Sequence, residues 1–579
     1  MEQNRYLRAL VCYRAGDFSA ALTLLDTATP NDPAAQMLTG LCRAGNGDYA
    51  AALSALDRAT AQAPEDPTVR FNRGTVREQC GRTDDALADY RRVLAAAPEH
   101  VGAAHNAARL LTGRGEPGTA ATICRKALVL TPHQPQLLAA WAGALSAQGE
   151  ITAAVTVYRK ALAAAPDNLL LRSNLLLNLN YLPIPPAAIF REHRQWQHAF
   201  HAAHPDAPPM FPPRDPNERW RIGYLSPDFR YHSVAYFIEP LLRHHRRDRF
   251  AIHSFSDVTR PDAITRRLTG LTEYRHDISN MDIAAAVAYI RSQHLDVLVD
   301  LAGHTGRKLA VFAHRAAPIQ VAYLGYPNTT GLRRMDYRFA DDLADRPDTA
   351  RFYTEKRLFL PGGLWAYAPL AEAPEIQPPP LLTRGVMTFG SCNNQAKISD
   401  FTLQVWAGAL RACPGSRLRL KNRALRDAAV VRRLTARLAD CGIAADRVTC
   451  EGFVPGHRAH LEFYHHIDLA LDTLPYNGTT TTFEALWMGV PTLTLPGTEH
   501  ASRVGGAIMG RLGLNSFVAA DPDDFARIAA GYAARPDTLA ALRTALRPLL
   551  ADSPLLDGQR LARAVEDQYE HIITRENLS

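Results

Sequence analysis

A 34-residue period in the first third of the chain constrains its fold more than any other feature. Glycines recur at this spacing, at Gly47, Gly81, Gly115 and Gly149. Prolines follow the same period, at Pro30, Pro64, Pro98, Pro132 and Pro166. An alanine stands five places after each of those glycines, and one bulky position is filled in turn by Tyr90, Cys124 and Tyr158. Independent positions in phase indicate stacked copies of one small structural unit.

This pattern resembles the tetratricopeptide repeat, with small residues where helices cross and a proline where each copy ends. It predicts about five helical hairpins over residues 1–169, followed by a helical connector over 170–215. Gly16 stands 31 positions before Gly47, so the first hairpin is irregular, as terminal repeats tend to be. Arrays of this kind form a concave groove that usually holds an extended peptide or a partner protein.

Three asparagines suggest how such a groove would hold a peptide. Asn72, Asn106 and Asn174 share one phase of the repeat, and Ala140 occupies the intervening position. An asparagine amide offers both a donor and an acceptor, so a row of them can pair with a peptide backbone of any sequence. The alternative is that these side chains stabilise the repeats themselves, and the sequence leaves both explanations open.

The stretch 469–495 is typical of a strand, a helix and a second strand. Ile467–Leu471 is a short apolar run, and Pro491–Leu495 is another. Between them, four consecutive threonines open a predicted helix with Phe483 on its apolar side, and Gly489 ends that helix. The pattern predicts a βαβ unit with hydroxyl groups crowded at a helix N-terminus.

A helix N-terminus crowded with hydroxyl groups suits an anion. The backbone N–H groups and the helix dipole attract negative charge, and the hydroxyls of residues 479–482 add uncharged donors. A simpler explanation is that one threonine caps the helix. One cap needs one hydroxyl, so the run of four favours a ligand of the phosphate type.

The sequence after residue 215 predicts two α/β lobes, at 216–375 and 383–579. A proline cluster precedes each of them, the first at Pro208, Pro209, Pro212 and Pro213 and the second over Pro369–Pro380. Predicted strands in the first lobe are Arg221–Leu225, Leu295–Leu301 and Ile319–Leu324, with a helix over Ile283–Ser292. Those in the second are Val386–Gly390, Arg417–Leu420 and Ile467–Leu471. A last helix, Leu556–Thr574, is expected to pack back across the lobes.

The fold class expected is therefore an all-α repeat superhelix followed by α/β structure, a pair of Rossmann-like lobes with the ligand in the cleft between them. The net charge of +7 includes no dense basic run, which argues against nucleic acid as a partner. Eight cysteines without a CxxC pair, no apolar signal core and no run of about 18 apolar residues indicate a cytoplasmic protein without membrane segments. No metal-ligand spacing occurs, and no metal is expected.

Six blocks of sequence carry a wider resemblance. They are GYLSPDFRYHSV (223–234), LVDLAGHTG (298–306), APIQVAYLGYPNTTG (317–331), FGSCNNQAKI (389–398), LDTLPYNGTTTTFEALWMGVP (471–491) and PGTEHASRVG (496–505). With the repeats, they resemble the O-GlcNAc transferase and SPINDLY family of inverting GT-B glycosyltransferases. That family joins a tetratricopeptide array to a two-lobed catalytic unit and works without metal or other cofactor.

The resemblance implies a role for particular residues. Lys397 is the catalytic lysine on the diphosphate, and His232 lies beside the sugar and the attacking hydroxyl, as general base or as an orienting group. Because no metal is expected, a lysine and helix N–H donors must stabilise the charge that develops on the diphosphate. His460 stacks on the base, Glu484 takes the ribose hydroxyls, and Asn394 contributes to nucleotide binding. Substrate contacts also come from the helix start and from one loop of the first lobe: Thr479, Thr480, Thr481, Leu324, Gly325, Tyr326 and Pro327.

Departures from the O-GlcNAc transferase pattern leave the donor open. Thr479 and Ser233 replace a histidine and a proline of that pattern, as in the SPINDLY branch, and Tyr476 replaces a small residue near the sugar. The expected reaction is transfer of a sugar to Ser or Thr of a protein in the repeat groove, with inversion. UDP-GlcNAc is the first choice of donor and GDP-fucose, which plant SPINDLY proteins use, the second.

Two further readings remain open at this stage. A flagellin or adhesin glycosyltransferase would use another sugar. A repeat scaffold would bind nucleotide sugar without turnover, although Lys397 and His232 argue against it. The sequence leaves the oligomeric state open, a homodimer included.

Overall fold

The computed structural model describes residues 2–25, 32–204, 209–212, 217–369 and 373–577. Pro30, Pro208 and Pro213 lie outside the described residues, as do the predicted end of the connector at 215 and the predicted start of the first lobe at 216. The chain divides into two compact units. One comprises residues 1–148 with 156–164, and the other comprises residues 149–155 with 165–579.

The repeat region is helical where it is described. Its helices are α1 (Glu2–Arg14), α2 (Phe18–Leu25), α3 (Pro33–Gly45), α4 (Tyr49–Gln62), α5 (Pro67–Gln79), α6 (Thr83–Ala96), α7 (Val101–Arg114), α8 (Pro117–Leu130), α9 (Pro135–Ala147) and α10 (Ile151–Ala164). The helices α1 and α2, α3 and α4, α5 and α6, and α7 and α8 pack in pairs. The predicted helical hairpins are confirmed.

The periodic residues explain why these hairpins form. Gly47, Gly81, Gly115 and Gly149 lie in the turn inside each hairpin with φ of 80°, 77°, 87° and 81°, a left-handed conformation that favours glycine. Of the prolines that repeat with them, Pro64, Pro98, Pro132 and Pro166 lie in the turns between hairpins. The alanines five places after the glycines are 0% exposed, so adjacent helices approach closely there: Ala52, Ala86, Ala120 and Ala154.

Two helices follow the repeats and belong to the second unit. They are α11 (Leu169–Leu179) and α12 (Pro186–Ala203). Trp196 of α12 is 2% exposed, and its indole N–H donates to the carbonyl of Leu169 at 3.0 Å. This buried contact holds the two connector helices together.

The first lobe, residues 217–369, is built on a sheet of seven parallel strands within the described residues, in the order β3-β2-β1-β4-β5-β6-β7. Its elements are β1 (Trp220–Ser226), α13 (Ser233–His244), β2 (Phe250–Ser256), α14 (Ala263–Gly270), β3 (Tyr274–Asp277), α15 (Ile283–Arg291), β4 (Val297–Asp300), α16 (Leu309–Ala313), β5 (Ile319–Ala322), β6 (Tyr337–Ala340) and β7 (Lys356–Phe359).

The second lobe, residues 373–577, has five parallel strands within its described part, in the order β10-β9-β8-β11-β12. Its elements are α17 (Pro380–Arg384), β8 (Thr388–Ser391), α18 (Asp400–Ala412), β9 (Arg417–Lys421), α19 (Ala428–Asp440), β10 (Val448–Glu451), α20 (His457–Leu461), β11 (Leu469–Leu471), α21 (Thr480–Trp487), β12 (Thr492–Leu493), α22 (Val504–Arg511), α23 (Pro522–Ala533), α24 (Pro536–Ala551) and α25 (Gly558–Asn577). Both strand orders are doubly wound, so the predicted fold class is confirmed.

Several strands differ from the sequence prediction. The predicted strand Ile319–Leu324 ends at Ala322, because Leu324 adopts a left-handed φ of 73°. Similarly, the strands predicted at Ile467–Leu471 and Pro491–Leu495 shorten to three and two residues. The sequence prediction missed β2, β3, β6, β7 and β10, because polar and charged residues interrupt the apolar runs by which buried strands are recognised.

The last helix, α25, packs on the first lobe, as predicted. The hydroxyl of Tyr569 lies 2.9 Å from that of Tyr224 on β1, and the buried Glu566 accepts from the side chain of Arg246 at 2.7 Å. Two side-chain contacts also join the lobes: Nδ1 of His500 lies 3.0 Å from Oδ1 of Asp345, and Arg511 forms an ion pair with Asp341 at 2.9 Å. Among the residues described, none of the helices combines the length and apolar character that crossing a bilayer requires.

Candidate active site

The candidate site lies where strand order reverses in each sheet, between β1 and β4 in the first lobe and between β8 and β11 in the second. Open α/β sheets bind ligands beyond the carboxyl ends of their strands at such points. The loop after β1 carries His232, the loop after β8 carries Lys397, and the loop after β11 leads into α21. The sequence motifs therefore converge on both switch points.

The start of α21 places the threonine run at the switch point of the second lobe. Thr479 occupies the N-cap position, but its side chain makes no capping hydrogen bond. The hydroxyl of Thr481 donates to Oδ1 of Asn393 in the loop after β8 at 3.1 Å, and that of Thr482 donates to the carbonyl of Gly478 at 3.0 Å. The hydroxyls of Thr479 and Thr480 take part in neither of these bonds. Capping therefore does not account for Thr479, whereas a helix N-terminus with nearby hydroxyls suits an anion.

A buried carboxylate holds the loop that precedes this helix. Oδ1 of Asp472 accepts from the backbone N–H groups of Gly478 at 2.7 Å and Thr473 at 2.8 Å, and Oδ2 accepts from the hydroxyl of Thr494 at 2.8 Å. A Cβ on Gly505 would lie 2.2 Å from Oδ2 of Asp472, so this glycine allows the close approach. Burial raises the pKa of Asp472 to about 6, and Lys397 opposes that shift.

Lys397 lies beside the same loop. Its Nζ donates to the carbonyl of Asn477 at 2.7 Å and lies 4.0 Å from the centre of the Tyr476 ring. Burial lowers the pKa of Lys397 to about 8, and the neighbouring Asp472 opposes that shift. The ammonium group is therefore held at the loop that leads into the threonine run. Asn394 is exposed, and its side chain accepts from the N–H of Ala396 at 3.2 Å.

Two adjacent residues at the end of α11 connect the loops of the two lobes. Nδ2 of Asn180 donates to the hydroxyl of Tyr326 in the first lobe at 2.9 Å. The ring of Tyr181 lies 5.2 Å from that of Tyr476 in the second lobe, centre to centre. Leu324 and Pro327 stand beside Tyr326 in sequence and are half-buried. The connector thus brings residues 324–327 and Tyr476 to the same place.

The loop of residues 324–328 is held by its backbone. A Cβ on Gly325 would lie 1.9 Å from the carbonyl oxygen of Leu301, so the loop packs directly on the end of β4. The buried guanidinium of Arg338 donates to the carbonyls of Tyr326 at 3.2 Å and Asn328 at 2.6 Å. These contacts fix the position of Leu324, Gly325 and Pro327.

The side chain of Tyr326 is buried. The resemblance places this residue among those that line the sugar, but its side chain is 6% exposed and turns to the connector. There Nε2 of the buried His193 lies 2.7 Å from its hydroxyl, opposite Asn180. The hydroxyl of Tyr326 thus anchors the loop to Asn180 at the end of α11 and to His193 of α12.

His232 occupies the N-cap of α13, immediately after the loop that leaves β1. Its Nδ1 accepts from the N–H of Val234 at 3.3 Å and lies 3.5 Å from Oδ1 of the buried Asp228. Burial lowers the pKa of His232, Asp228 opposes this and Arg230 adds to it. Burial therefore favours the neutral form of the imidazole.

The loop of His232 meets α20 of the second lobe. The hydroxyls of Tyr231 and Tyr236 lie 3.4 and 3.3 Å from Nδ1 of His457. One turn further along α20, Nε2 of His460 lies 3.0 Å from Oε2 of Glu484 on α21. The structure thus brings His460 and Glu484 into direct contact, although they are 24 positions apart in sequence.

Two of the three asparagines predicted to hold a peptide in the repeat groove contact other side chains of the repeats. Nδ2 of Asn72 lies 3.2 Å from Sδ of Met37, and Nδ2 of Asn106 donates to the hydroxyl of Tyr90 at 3.2 Å. Asn174 lies in α11, in the second unit, and is half-buried. The two contacts in the repeats agree with a role in stabilising them, and a role in holding a peptide stays a prediction.

Residues that the sequence did not single out complete the arrangement. Asp228 touches His232, Asn393 touches Thr481, and Tyr181 touches Tyr476. Asp228 stands four positions before His232, a spacing that could have pointed to it. Tyr181 carries no such signal, because nothing in sequence links it to position 476.

The chain is similar to known proteins over most of its length. The chain is 38% identical over 413 residues to a protein from Arabidopsis thaliana named probable UDP-N-acetylglucosamine–peptide N-acetylglucosaminyltransferase SPINDLY, covering 70% of this chain and 45% of that protein. An Oryza sativa protein of the same name is 38% identical over 416 residues, which is 71% of this chain and 45% of the relative. The chain thus spans about half the length of these curated relatives.

A solved structure covers more of the chain. A mutant of Thermobaculum terrenum O-GlcNAc transferase superposes with a TM-score of 0.83 at 32% identity, over 88% of this chain and 98% of that one. The model of the tetratricopeptide repeat matches residues 6–67 and 71–135. The model of glycosyl transferase family 41 matches residues 203–366 and 381–565, which together are more than half of the chain. The chain belongs to glycosyl transferase family 41.

Proposed function

We propose that this protein is an inverting glycosyltransferase that moves a sugar from a nucleotide sugar to Ser or Thr of a protein. The observation that carries the proposal is the position of Lys397, whose ammonium group bonds to the loop that leads directly into the threonine-rich start of α21. UDP-GlcNAc is the donor we favour, because relatives over both lobes are named for N-acetylglucosaminyl transfer.

The leaving diphosphate gains negative charge as its bond to the sugar breaks. In this proposal, Lys397 and the N-terminus of α21 bind that charge, with Thr479, Thr480 and Thr481 as further donors and no metal or other cofactor. His460 and Glu484 hold the nucleoside, the histidine against the base and the carboxylate toward the ribose hydroxyls. Leu324, Gly325 and Pro327 line the sugar beside Tyr476, and Asn394 lies at the nucleotide.

His232 is proposed to orient the reactants rather than to remove the acceptor proton. In a neutral imidazole whose Nδ1 accepts from the N–H of Val234, the proton resides on Nε2. Such an Nε2–H can donate to the sugar or the acceptor, but it cannot accept a proton. The opposite tautomer needs Nδ1–H to donate to Asp228 across 3.5 Å, which is long for a hydrogen bond.

Substitutions at His232 and Asp228 distinguish an orienting role of His232 from a role as general base. We expect His232→Ala to lower kcat for transfer roughly 10- to 100-fold, the effect of losing one hydrogen bond to a charged group. His232→Gln keeps a donor and is expected to retain most of the activity, and Asp228→Asn to stay within about threefold of wild type. Single-turnover rates measure this. If glutamine is as poor as alanine and Asp228→Asn loses about 100-fold or more, His232 is the base.

The donor is tested by binding and then by turnover. A ligand at a hundred times its Kd stabilises the protein by roughly 2.7 kcal/mol, so thermal unfolding with UDP and with GDP ranks the two bases. We expect UDP to raise the Tm more than GDP, and UDP-GlcNAc to be hydrolysed slowly without acceptor. Stabilisation by GDP alone would favour GDP-fucose, to which the SPINDLY-like residues Thr479 and Ser233 also point.

Other readings give different outcomes in the same assays. A flagellin or adhesin glycosyltransferase would turn over a different nucleotide sugar. A scaffold would be stabilised by a nucleotide but would hydrolyse no donor, which would contradict the proposed function. We propose a protein or peptide acceptor in the groove of the repeats, with Asn72, Asn106 and Asn174 as its contacts, and a cytoplasmic location.

A further inference from the structure

The ammonium group of Lys397 lies over the aromatic ring of Tyr476. Nζ of Lys397 lies 4.0 Å from the centre of its ring, well inside the range of about 6 Å within which a cation is attracted to an aromatic face. The same ammonium group donates to the carbonyl of the next residue, Asn477, at 2.7 Å. Two neighbouring residues of one loop thus contact the lysine from the ring face and from the backbone.

The ring itself is held in place from outside the loop. Tyr181, which is 9% exposed, packs against it at 5.2 Å between ring centres. The carbonyl of Tyr476 accepts from the hydroxyl of Thr473 at 2.8 Å. The preceding residue, Asn180, forms side-chain hydrogen bonds with Tyr326 and Asn328. The connector therefore determines where the ring lies.

We propose that Tyr476 is a positioning residue for Lys397: its ring face holds the ammonium group at the head of α21 and favours the charged form, and Tyr181 of the connector holds the ring. The inference rests on the proposed function in one respect, which is that the charged lysine is what the reaction needs. The ring contact itself is independent of it.

The groups around Lys397 determine whether loss of the Tyr476 ring should raise or lower the pKa of the lysine. Burial favours the neutral amine, while the Asp472 carboxylate favours the ammonium ion, and the ring face acts in the same direction as Asp472. The Tyr476 ring in turn packs against Tyr181, and the positive charge of Arg338 acts to lower the pKa of its hydroxyl. Burial raises the pKa of the Tyr476 hydroxyl, so that group stays neutral while the lysine titrates.

Removal of the ring should therefore lower the pKa of Lys397. The energy of a cation–π contact is small when the contact is exposed and larger when it is desolvated. This range corresponds to a shift of roughly 0.4 to 1.5 pH units in the pKa of the cation. We expect this shift in Tyr476→Leu. Tyr476→Phe keeps the ring face and is the matched control, in which the pKa of Lys397 should remain at the wild-type value. Tyr181→Leu loosens the ring and should shift the pKa in the same direction by a smaller amount.

Competitive acylation measures these pKa values without any donor. The folded protein and its variants are treated with trace acetic anhydride between pH 6 and 10, and mass spectrometry gives the modified fraction of Lys397 at each pH. An unchanged or raised pKa in Tyr476→Leu contradicts the proposal. If that variant does not fold, an unchanged pKa in Tyr181→Leu contradicts it equally.

Turnover then separates this inference from the proposed function. With UDP-GlcNAc, the alkaline limb of kcat/KM should shift in Tyr476→Leu by the amount that labelling gives and stay in place in Tyr476→Phe. A uniform loss of rate with no shift would mean a purely structural role and would contradict the inference. Absence of turnover in the wild-type protein would contradict the proposed function, whereas the labelling result would still decide the ring contact.

Discussion

Lys397→Met is expected to lower the rates of donor hydrolysis and of sugar transfer by about 10²- to 10³-fold, the usual effect of removing one preorganised group from a developing oxyanion. The physical reason is that the charge on the leaving diphosphate is stabilised by this ammonium group together with the start of α21. Methionine has a similar length and no charge. Steady-state rates with UDP-GlcNAc measure the effect, with Lys126→Met, an exposed lysine of α8, as the control for charge.

The pH dependence of kcat/KM in the wild-type protein tests the same role of Lys397. Because burial lowers the pKa of Lys397 to about 8, the free protein holds the ammonium form below that pH and loses it above. The alkaline limb of kcat/KM should therefore lie near pH 8, and Lys397→Arg should move it beyond the measurable range, since arginine does not titrate there. Wild-type hydrolysis rates in Lys397→Met, with an unchanged Tm, would contradict the assignment.

Gly325→Ala is expected to lower transfer by about 100-fold or more. The new Cβ would lie 1.9 Å from the carbonyl oxygen of Leu301, an overlap that only movement of the backbone can relieve. The loop of residues 324–328 would then shift away from β4, and misplacement of a substrate-lining group by about 1 Å can cost 10²-fold in rate. Transfer rates and the KM for the donor measure the effect.

Gly270→Ala is the matched control in the same lobe. Gly270 ends α14, and a Cβ there meets nothing within 4 Å. That variant should transfer sugar at the wild-type rate.

The Tm of Gly325→Ala is also expected to fall by several degrees, because Arg338, Asn180 and His193 hold the loop on its other sides. If Gly325→Ala retains full activity, the loop does not line the sugar.

The repeat region was predictable because its contacts are local. Each hairpin packs on its neighbours, so Gly81 or Ala86 needs only a partner within about one repeat, and the period of the sequence reports it directly. The same holds for the βαβ unit around α21, whose threonines and Gly489 stand within one short segment. Strands such as β3 and β6 were missed because polar and charged residues interrupt their apolar runs, so that only their pairing within the sheet identifies them.

The site residues divide in the same way. The resemblance of the motifs singled out His232, Lys397, His460 and Glu484 one block at a time. The sequence did not show that His460 and Glu484 touch each other or that Lys397 bonds to the loop before the threonines. Residues such as Asp228 and Asn393 came only with the structure, since each acts through a neighbour rather than through a motif.

Short-range pattern in the sequence thus determined the repeats and the alternating strands and helices of the two α/β lobes, and the resemblance of its motifs implied the polar groups at the strand ends. Only the tertiary structure decided how those groups meet. Tyr181 reaches Tyr476, and Asn180 reaches Tyr326. Such contacts join segments that come together only when the connector packs against both lobes, and no local pattern encodes them.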